Sequence, residues 1–185
     1  LGEDVDSDVP AYVDLGTGRH ALMSERDNDD DGIVNILDPF PDGCPSGHYA
    51  TDGTCELTEP GHYTNDLPPY EQFPCQPGTY QPSYGQLDCI DASPGHYVVD
   101  AASASQTPCG VGSYQPDSGE SSCIQSEPGN YVSDEGSIRQ NQCSSGTYQP
   151  SSGATDCLDA SPGYYVTGFG SEEQTPCAAG TYQIC

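Results

Sequence analysis

A tripeptide Gly-x-Tyr returns through most of this chain at a fixed step. It occurs at Gly61/Tyr63, Gly78/Tyr80, Gly95/Tyr97, Gly112/Tyr114, Gly129/Tyr131, Gly146/Tyr148, Gly163/Tyr165 and Gly180/Tyr182, always 17 residues apart. An earlier copy, Gly47/Tyr49, precedes the first of these by a slightly shorter step. A period this short and this strict points to a tandem stack of small units rather than to a globular core. The cysteines divide the units into two kinds. From Cys55 to Cys177 they alternate a long interval with a short one, as from Cys55 to Cys75 and from Cys75 to Cys89, so the full period is two units, Cys75 to Cys109 to Cys143. One kind of unit carries a cysteine three residues before its glycine and another eleven after it; the other kind, as in Ser93-Pro94-Gly95-His96-Tyr97-Val98, carries neither.

Units that hold both cysteines or none favour pairing within the unit. The expected bridges are Cys44–Cys55, Cys75–Cys89, Cys109–Cys123, Cys143–Cys157 and Cys177–Cys185. The competing scheme joins 55–75, 89–109, 123–143 and 157–177 and strands Cys44 and Cys185; spacing alone leaves it open. Closing a loop of this size is worth about 3 kcal/mol in the chain-entropy account. That matters because the chain has little else to fold around. It holds 8 Leu, 6 Ile, 9 Val, 3 Phe, one Met and no Trp among 185 residues, a composition that without cross-links belongs to disordered chains.

Pro and Gly recur every few residues and no 3.6-residue apolar stripe is present, which argues against helices. Pro-Gly marks a turn, and the Tyr-Val or Tyr-Gln step after it suits a short strand. The expected fold is therefore small, disulfide-rich and mostly irregular or short β. It forms an elongated tandem-repeat stack, each unit a half-repeat, with little or no helix. Each tyrosine is expected to pack on a disulfide or on a neighbouring tyrosine. Two regions follow: an acidic segment over 1–43 and the cysteine-rich repeats over 44–185.

The motif Cys75-Gln76-Pro77-Gly78-Thr79-Tyr80-Gln81-Pro82, continuing through Gly85 to Cys89, resembles the ephrin-receptor-like cysteine-rich repeat. Cys143-Ser144-Ser145-Gly146-Thr147-Tyr148-Gln149-Pro150, continuing to Cys157, resembles it again. That repeat is similar in turn to the first loop of tumour necrosis factor receptor modules. The resemblance implies a bridge between the two flanking cysteines and spans 44–185. The chain departs from those receptors by lacking the further cysteines of their second loops; in composition it is nearer to large microbial surface proteins.

Charge is the other constraint. Twenty-nine acidic residues face three arginines and no lysine, for a net charge of −26. Such a chain repels nucleic acid and anionic membranes and attracts divalent cations. The acidic residues crowd most in Asp27-Asn28-Asp29-Asp30-Asp31-Gly32-Ile33-Val34-Asn35-Ile36-Leu37-Asp38. Carboxylates at Asp27, Asp29, Asp31 and Asp38, with Asn35 and the Ile33 carbonyl, supply hard oxygen ligands for Ca²⁺, and Gly32 allows the sharp turn. With Pro39 and Pro41 following, the stretch resembles a thrombospondin type 3 repeat, although Asp38 stands where an EF-hand has a bidentate Glu. Asp4, Asp6, Asp8 and Asp14 form a degenerate second copy, for which a solvated acidic linker is the simpler reading.

His48, His62 and His96 fill the middle of Gly-x-Tyr, a slot that elsewhere takes Thr, Ser, Asn or Tyr and is therefore expected to be exposed and without a catalytic or metal role. No nucleophile–base constellation stands out, and no Cys-x-x-Cys pair suggests zinc. The chain is expected not to be an enzyme. No Asn-x-Ser/Thr sequon is present, but the polar runs 101–108 and 174–176 can carry O-glycans. No stretch is long and apolar enough to span a membrane, and the chain reads as a mature product or a fragment of a longer one. The functional expectation is an extracellular, cell-surface structural protein, a filament or stalk subunit that self-associates and is rigidified by disulfides and Ca²⁺. The alternative is an adhesin or receptor-type binding ectodomain.

Overall fold

The computed structural model describes residues 11–14, 20–23 and 43–180, except 53 and 69. No helix occurs among them; every regular element is a short antiparallel strand pair. In each repeat unit from 61 to 163, named here by its glycine, the Pro-Gly or equivalent turn leads into a two-residue strand. That strand pairs with a second one ten residues on, as Thr79–Tyr80 pairs with Ile90–Asp91 and His96–Tyr97 with Thr107–Pro108. The loop then closes on its own glycine: the Cys109 amide donates to the Gly95 carbonyl at 2.8 Å, and the Ala92 amide to the Gly78 carbonyl at 2.8 Å.

The units are joined by backbone hydrogen bonds at fixed positions. Between units 95 and 112 the Gly95 amide donates to Gln115 O (2.7 Å), the Val98 amide to Glu120 O (3.1 Å) and the Gly119 amide to Ala92 O (2.8 Å). The same three bonds recur at each interface from unit 61 to unit 163. At about 1 kcal/mol net each, they contribute roughly as much per interface as one disulfide loop contributes to its unit.

Each unit also packs on the unit after next. A Cβ placed on Gly78 would collide with the Gly119 carbonyl oxygen, and one on Gly112 with that of Gly153. Likewise Gly61 faces Ala102, Gly95 faces Gly136, and Gly129 faces Gly170. Units 78, 112 and 146 thus form one column and units 61, 95, 129 and 163 the other, so every second unit of the chain is the next member of its column.

The core is two rows of small side chains. One row lies three residues before each glycine: Thr58, Cys75, Ala92, Cys109, Ser126 and Cys143, all fully buried. The other lies three after: Thr64, Gln81, Val98, Gln115, Val132, Gln149 and Val166. The tyrosines of the Gly-x-Tyr motif, from Tyr49 to Tyr165, are half-buried and sit outside these rows. No tyrosine stacks on another tyrosine among the described residues; the strand register gives each a cross-strand neighbour, Tyr80 opposite Ile90, Tyr114 opposite Ile124 and Tyr148 opposite Leu158. Tyr63 meets Phe73 in the same way, with ring centroids 5.6 Å apart.

In the acidic segment, Ala11–Asp14 pairs with His20–Met23 in a four-residue antiparallel register from Ala11 opposite Met23 to Asp14 opposite His20.

Candidate functional site: unit closures and the exposed edges

The bridges join Cys44 to Cys55, Cys75 to Cys89, Cys109 to Cys123 and Cys143 to Cys157, the within-unit arrangement. Cys177 is also disulfide-bonded; Cys185, its expected partner, lies outside the described residues. All the described bridges fall in one column, because unit 47 packs on unit 78 through Gly47 and Gly85.

The other column is closed by glutamine. Where the disulfide units have their second cysteine, these units have Gln72, Gln106, Gln140 and Gln174. The Gln106 Oε1 accepts from the Ser93 amide at 2.6 Å, Gln140 from Glu127 at 2.7 Å, Gln174 from Ser161 at 2.7 Å and Gln72 from Glu59 at 3.3 Å. The amide nitrogens reach the same residues' side chains, as Gln106 Nε2 donates to Ser93 Oγ at 3.4 Å and Gln140 Nε2 to Glu127 Oε2 at 3.1 Å. A carboxamide thus ties the two ends of the loop that a disulfide ties in the alternate units.

The disulfide units use a glutamine elsewhere. Gln81, Gln115 and Gln149 are buried in the core row, where an unpaired amide would cost about 1–3 kcal/mol. Each is paired at both ends: Gln115 Nε2 donates to Ser122 O at 2.8 Å and Gln115 Oε1 accepts from the Asp117 amide at 3.2 Å. Gln81 and Gln149 repeat the pattern with Asp88 and Ser83, and with Asp156 and Ser151. These side chains fill and brace the loop inside the bridge.

The histidine slot differs from its sequence expectation. His48, His62 and His96 are half-buried, with Nδ1 at 3.1, 3.4 and 3.3 Å from the carbonyls of Ser46, Pro60 and Pro94. Asn130 Nδ2 donates to Pro128 O at 3.0 Å in the same way, and Thr79 Oγ1 to Gln76 O at 2.8 Å. The slot fastens the turn, which any short donor can do.

Asp27, Asp29, Asp31, Ile33, Asn35 and Asp38, and likewise Asp4, Asp6 and Asp8, lie outside the described residues. Asp14 is the last residue of the strand facing His20. Among the described residues no group of three or more His, Cys, Asp or Glu is arranged to hold a metal, and no helix is long and apolar enough to cross a membrane.

Two edges of the stack contrast. In the disulfide column Ile90, Ile124 and Leu158 are 45 %, 45 % and 48 % exposed, one per unit. The matching positions of units 95, 129 and 163 are the exposed polar residues Thr107, Asn141 and Thr175. The hollows on the surface are shallow and polar, such as that lined by Pro150, Ser171, Glu172 and Glu173.

At the first unit the Tyr49 hydroxyl donates to Glu56 Oε2 at 3.4 Å. Burial pushes the Tyr49 phenol above its ordinary value of 10.0, and the Glu56 and Glu59 carboxylates add to the shift. Because the folded state holds this proton more tightly, the resulting stabilisation is intact below the ordinary phenol range and is lost as pH rises through the raised value. A difference ultraviolet titration of the parent against Tyr49→Phe is expected to show a midpoint above 10.0; one at or below it would remove Glu56 as a neighbour of the phenol.

No protein-family model matches the chain, and no curated protein is significantly similar to it.

Proposed function

We propose that the chain is an extracellular structural protein, a non-enzymatic subunit of a surface filament or stalk made rigid by disulfides and Ca²⁺. The observation that carries this reading is the three-bond interface repeated from unit to unit, with every described unit closed on itself by a bridge or a glutamine. A stack of this kind transmits load along its length through backbone bonds. Disulfides suit an oxidising exterior, and the likeness to ephrin-receptor-like and thrombospondin type 3 repeats points the same way. In this reading Asp27, Asp29, Asp31 and Asp38, with Asn35 and the Ile33 carbonyl, hold Ca²⁺ and stiffen the acidic segment, and O-glycans sit on exposed loops such as that ending at Thr107.

Self-association is part of this reading: a head-to-tail contact, which joins two different surfaces of like subunits, gives an open filament unless its rotation closes. Light scattering with negative-stain imaging in millimolar Ca²⁺ is expected to show end-to-end polymers, whereas a monomer at all concentrations would contradict the filament reading. Calorimetry should show Ca²⁺ uptake by the parent chain and its loss on replacing Asp29 and Asp31 together by Asn. No uptake by the parent would end the calcium assignment.

The exposed Ile90, Ile124 and Leu158 favour one second reading, an adhesin or receptor-type ectodomain that grips a partner along the disulfide column. Dispersed particles that nonetheless lose partner binding on Ile124→Ser would select it.

A further inference from the structure

The two sulfurs of each internal bridge stand in different surroundings. Cys75, Cys109 and Cys143 are 0 % exposed in a core row, while their partners Cys89, Cys123 and Cys157 are half-buried at the surface. The first bridge is different, with Cys44 and Cys55 both half-buried. Thiol–disulfide exchange needs a thiolate to reach one sulfur and the other sulfur to leave as a thiolate. Access and leaving ability therefore pull against each other in the internal bridges.

We propose that Cys89, Cys123 and Cys157 are one-sided exchange sites for small thiols, and that Cys44–Cys55 is open from both ends and reacts first. In the internal units a small thiolate R–S⁻ bonds to the Cys89 sulfur. The Cys75–Cys89 bond breaks, and Cys75 takes the electron pair as a thiolate. The products are a mixed disulfide on Cys89 and one anion in the core, so charge and electrons balance. A second R–S⁻ can then attack the sulfur of R in the mixed disulfide, releasing Cys89 as a thiolate and R–S–S–R. Two thiols are oxidised to one disulfide, and their two protons end on the two cysteines.

The Cys75 thiolate is expelled into a poor place. Burial disfavours the charged form and raises its pKa. The stretch 43–180 has no lysine and a single arginine, Arg139, which is exposed and belongs to unit 129 of the other column. A leaving group of raised pKa departs slowly, and one held within bonding distance re-forms the bridge by attacking the adduct. The stack thus admits the modification at the surface cysteine and reverses it from the core. Cys44–Cys55 has no such protection, because either sulfur can leave toward solvent.

The test is native-state exchange with 2-mercaptoethanol on the whole chain, quenched with acid, alkylated and mapped by mass spectrometry. Adducts are expected on Cys44 or Cys55 at a rate roughly tenfold or more above the internal bridges. Internal adducts are expected on Cys89, Cys123 and Cys157, with the alkylated thiol on Cys75, Cys109 and Cys143. Adducts on the core cysteines, or equal rates for all four bridges, would overturn the proposal. In denaturant both cysteines of each bridge should carry adducts equally; selectivity that survives unfolding would show that local sequence and not the stack directs the attack, and would overturn it as well.

Discussion

Gly95→Ala is expected to cost the stack about 3 kcal/mol, while Gly163→Ala costs about half as much. Both glycines hold left-handed backbone, at φ 81° and 85°, where a Cβ costs about 1–2 kcal/mol. Only Gly95 lies against a second backbone: its Cβ would overlap the carbonyl of Gly136, two units on. Forcing packed backbone apart costs a further 1–3 kcal/mol, roughly. Around Gly163 a Cβ meets nothing within 4 Å, which makes it the control for backbone strain alone. Denaturant melts of the two variants, with hydrogen exchange at the Gly119 and Val98 amides, separate the two costs. Equal losses would mean that units two apart do not touch. In a one-dimensional stack the damage should stay near units 95 to 129.

Ala92→Cys combined with Gln106→Cys is expected to form a new disulfide and to raise stability by about 2 kcal/mol. The two positions reproduce the separation of 14 found in Cys75–Cys89, and Ala92 occupies the fully buried place that Cys75 and Cys109 hold in neighbouring units. Closing a loop of this length contributes about 3 kcal/mol. Loss of the Gln106 hydrogen bonds to Ser93 returns about 1 kcal/mol of that, and Gln106→Ala alone should show this smaller loss. Ellman titration and a denaturant melt give both answers. Two thiols that stay free under oxidising conditions would mean that glutamine and disulfide do not close the same loop.

Much of this fold is visible in the residues because its determinants are local. Gly-x-Tyr at a constant step sets the turn and the strand, and paired cysteines mark the loop each bridge closes. What escaped depends on contacts between units. Gln106 and its counterparts recur in every second unit, and that signal was present, but nothing in a polar residue at a loop end says that it replaces a cysteine. Gln81, Gln115 and Gln149 look like surface residues, yet they are buried, because each meets two backbone groups of its own loop. Gly85, Gly119, Gly136, Gly153 and Gly170 also keep a common place, seven residues after their unit's glycine; Ala102 takes that place at φ 57°. Their meaning, a backbone passing against the unit two before, appears only once the columns are formed. Tyrosine does not stack on tyrosine among the described residues for the same reason: strand register sets the cross-strand neighbour of each ring. The strand pair of Ala11–Asp14 with His20–Met23 lay hidden in a segment dominated by charge. The proposed calcium ligands from Asp27 to Asp38 fall outside the described residues, and their case rests on spacing and ligand chemistry.

Two columns with different closures are the centre of this account, and they require every bridge to lie within one unit. Non-reducing proteolysis at acid pH, followed by mass spectrometry of the linked peptides, tests this directly. The expected pairs are Cys75–Cys89, Cys109–Cys123 and Cys143–Cys157, with residues 92–106 free of cross-links. A main species linking Cys89 to Cys109, or Cys123 to Cys143, would tie the two kinds of unit together and contradict it.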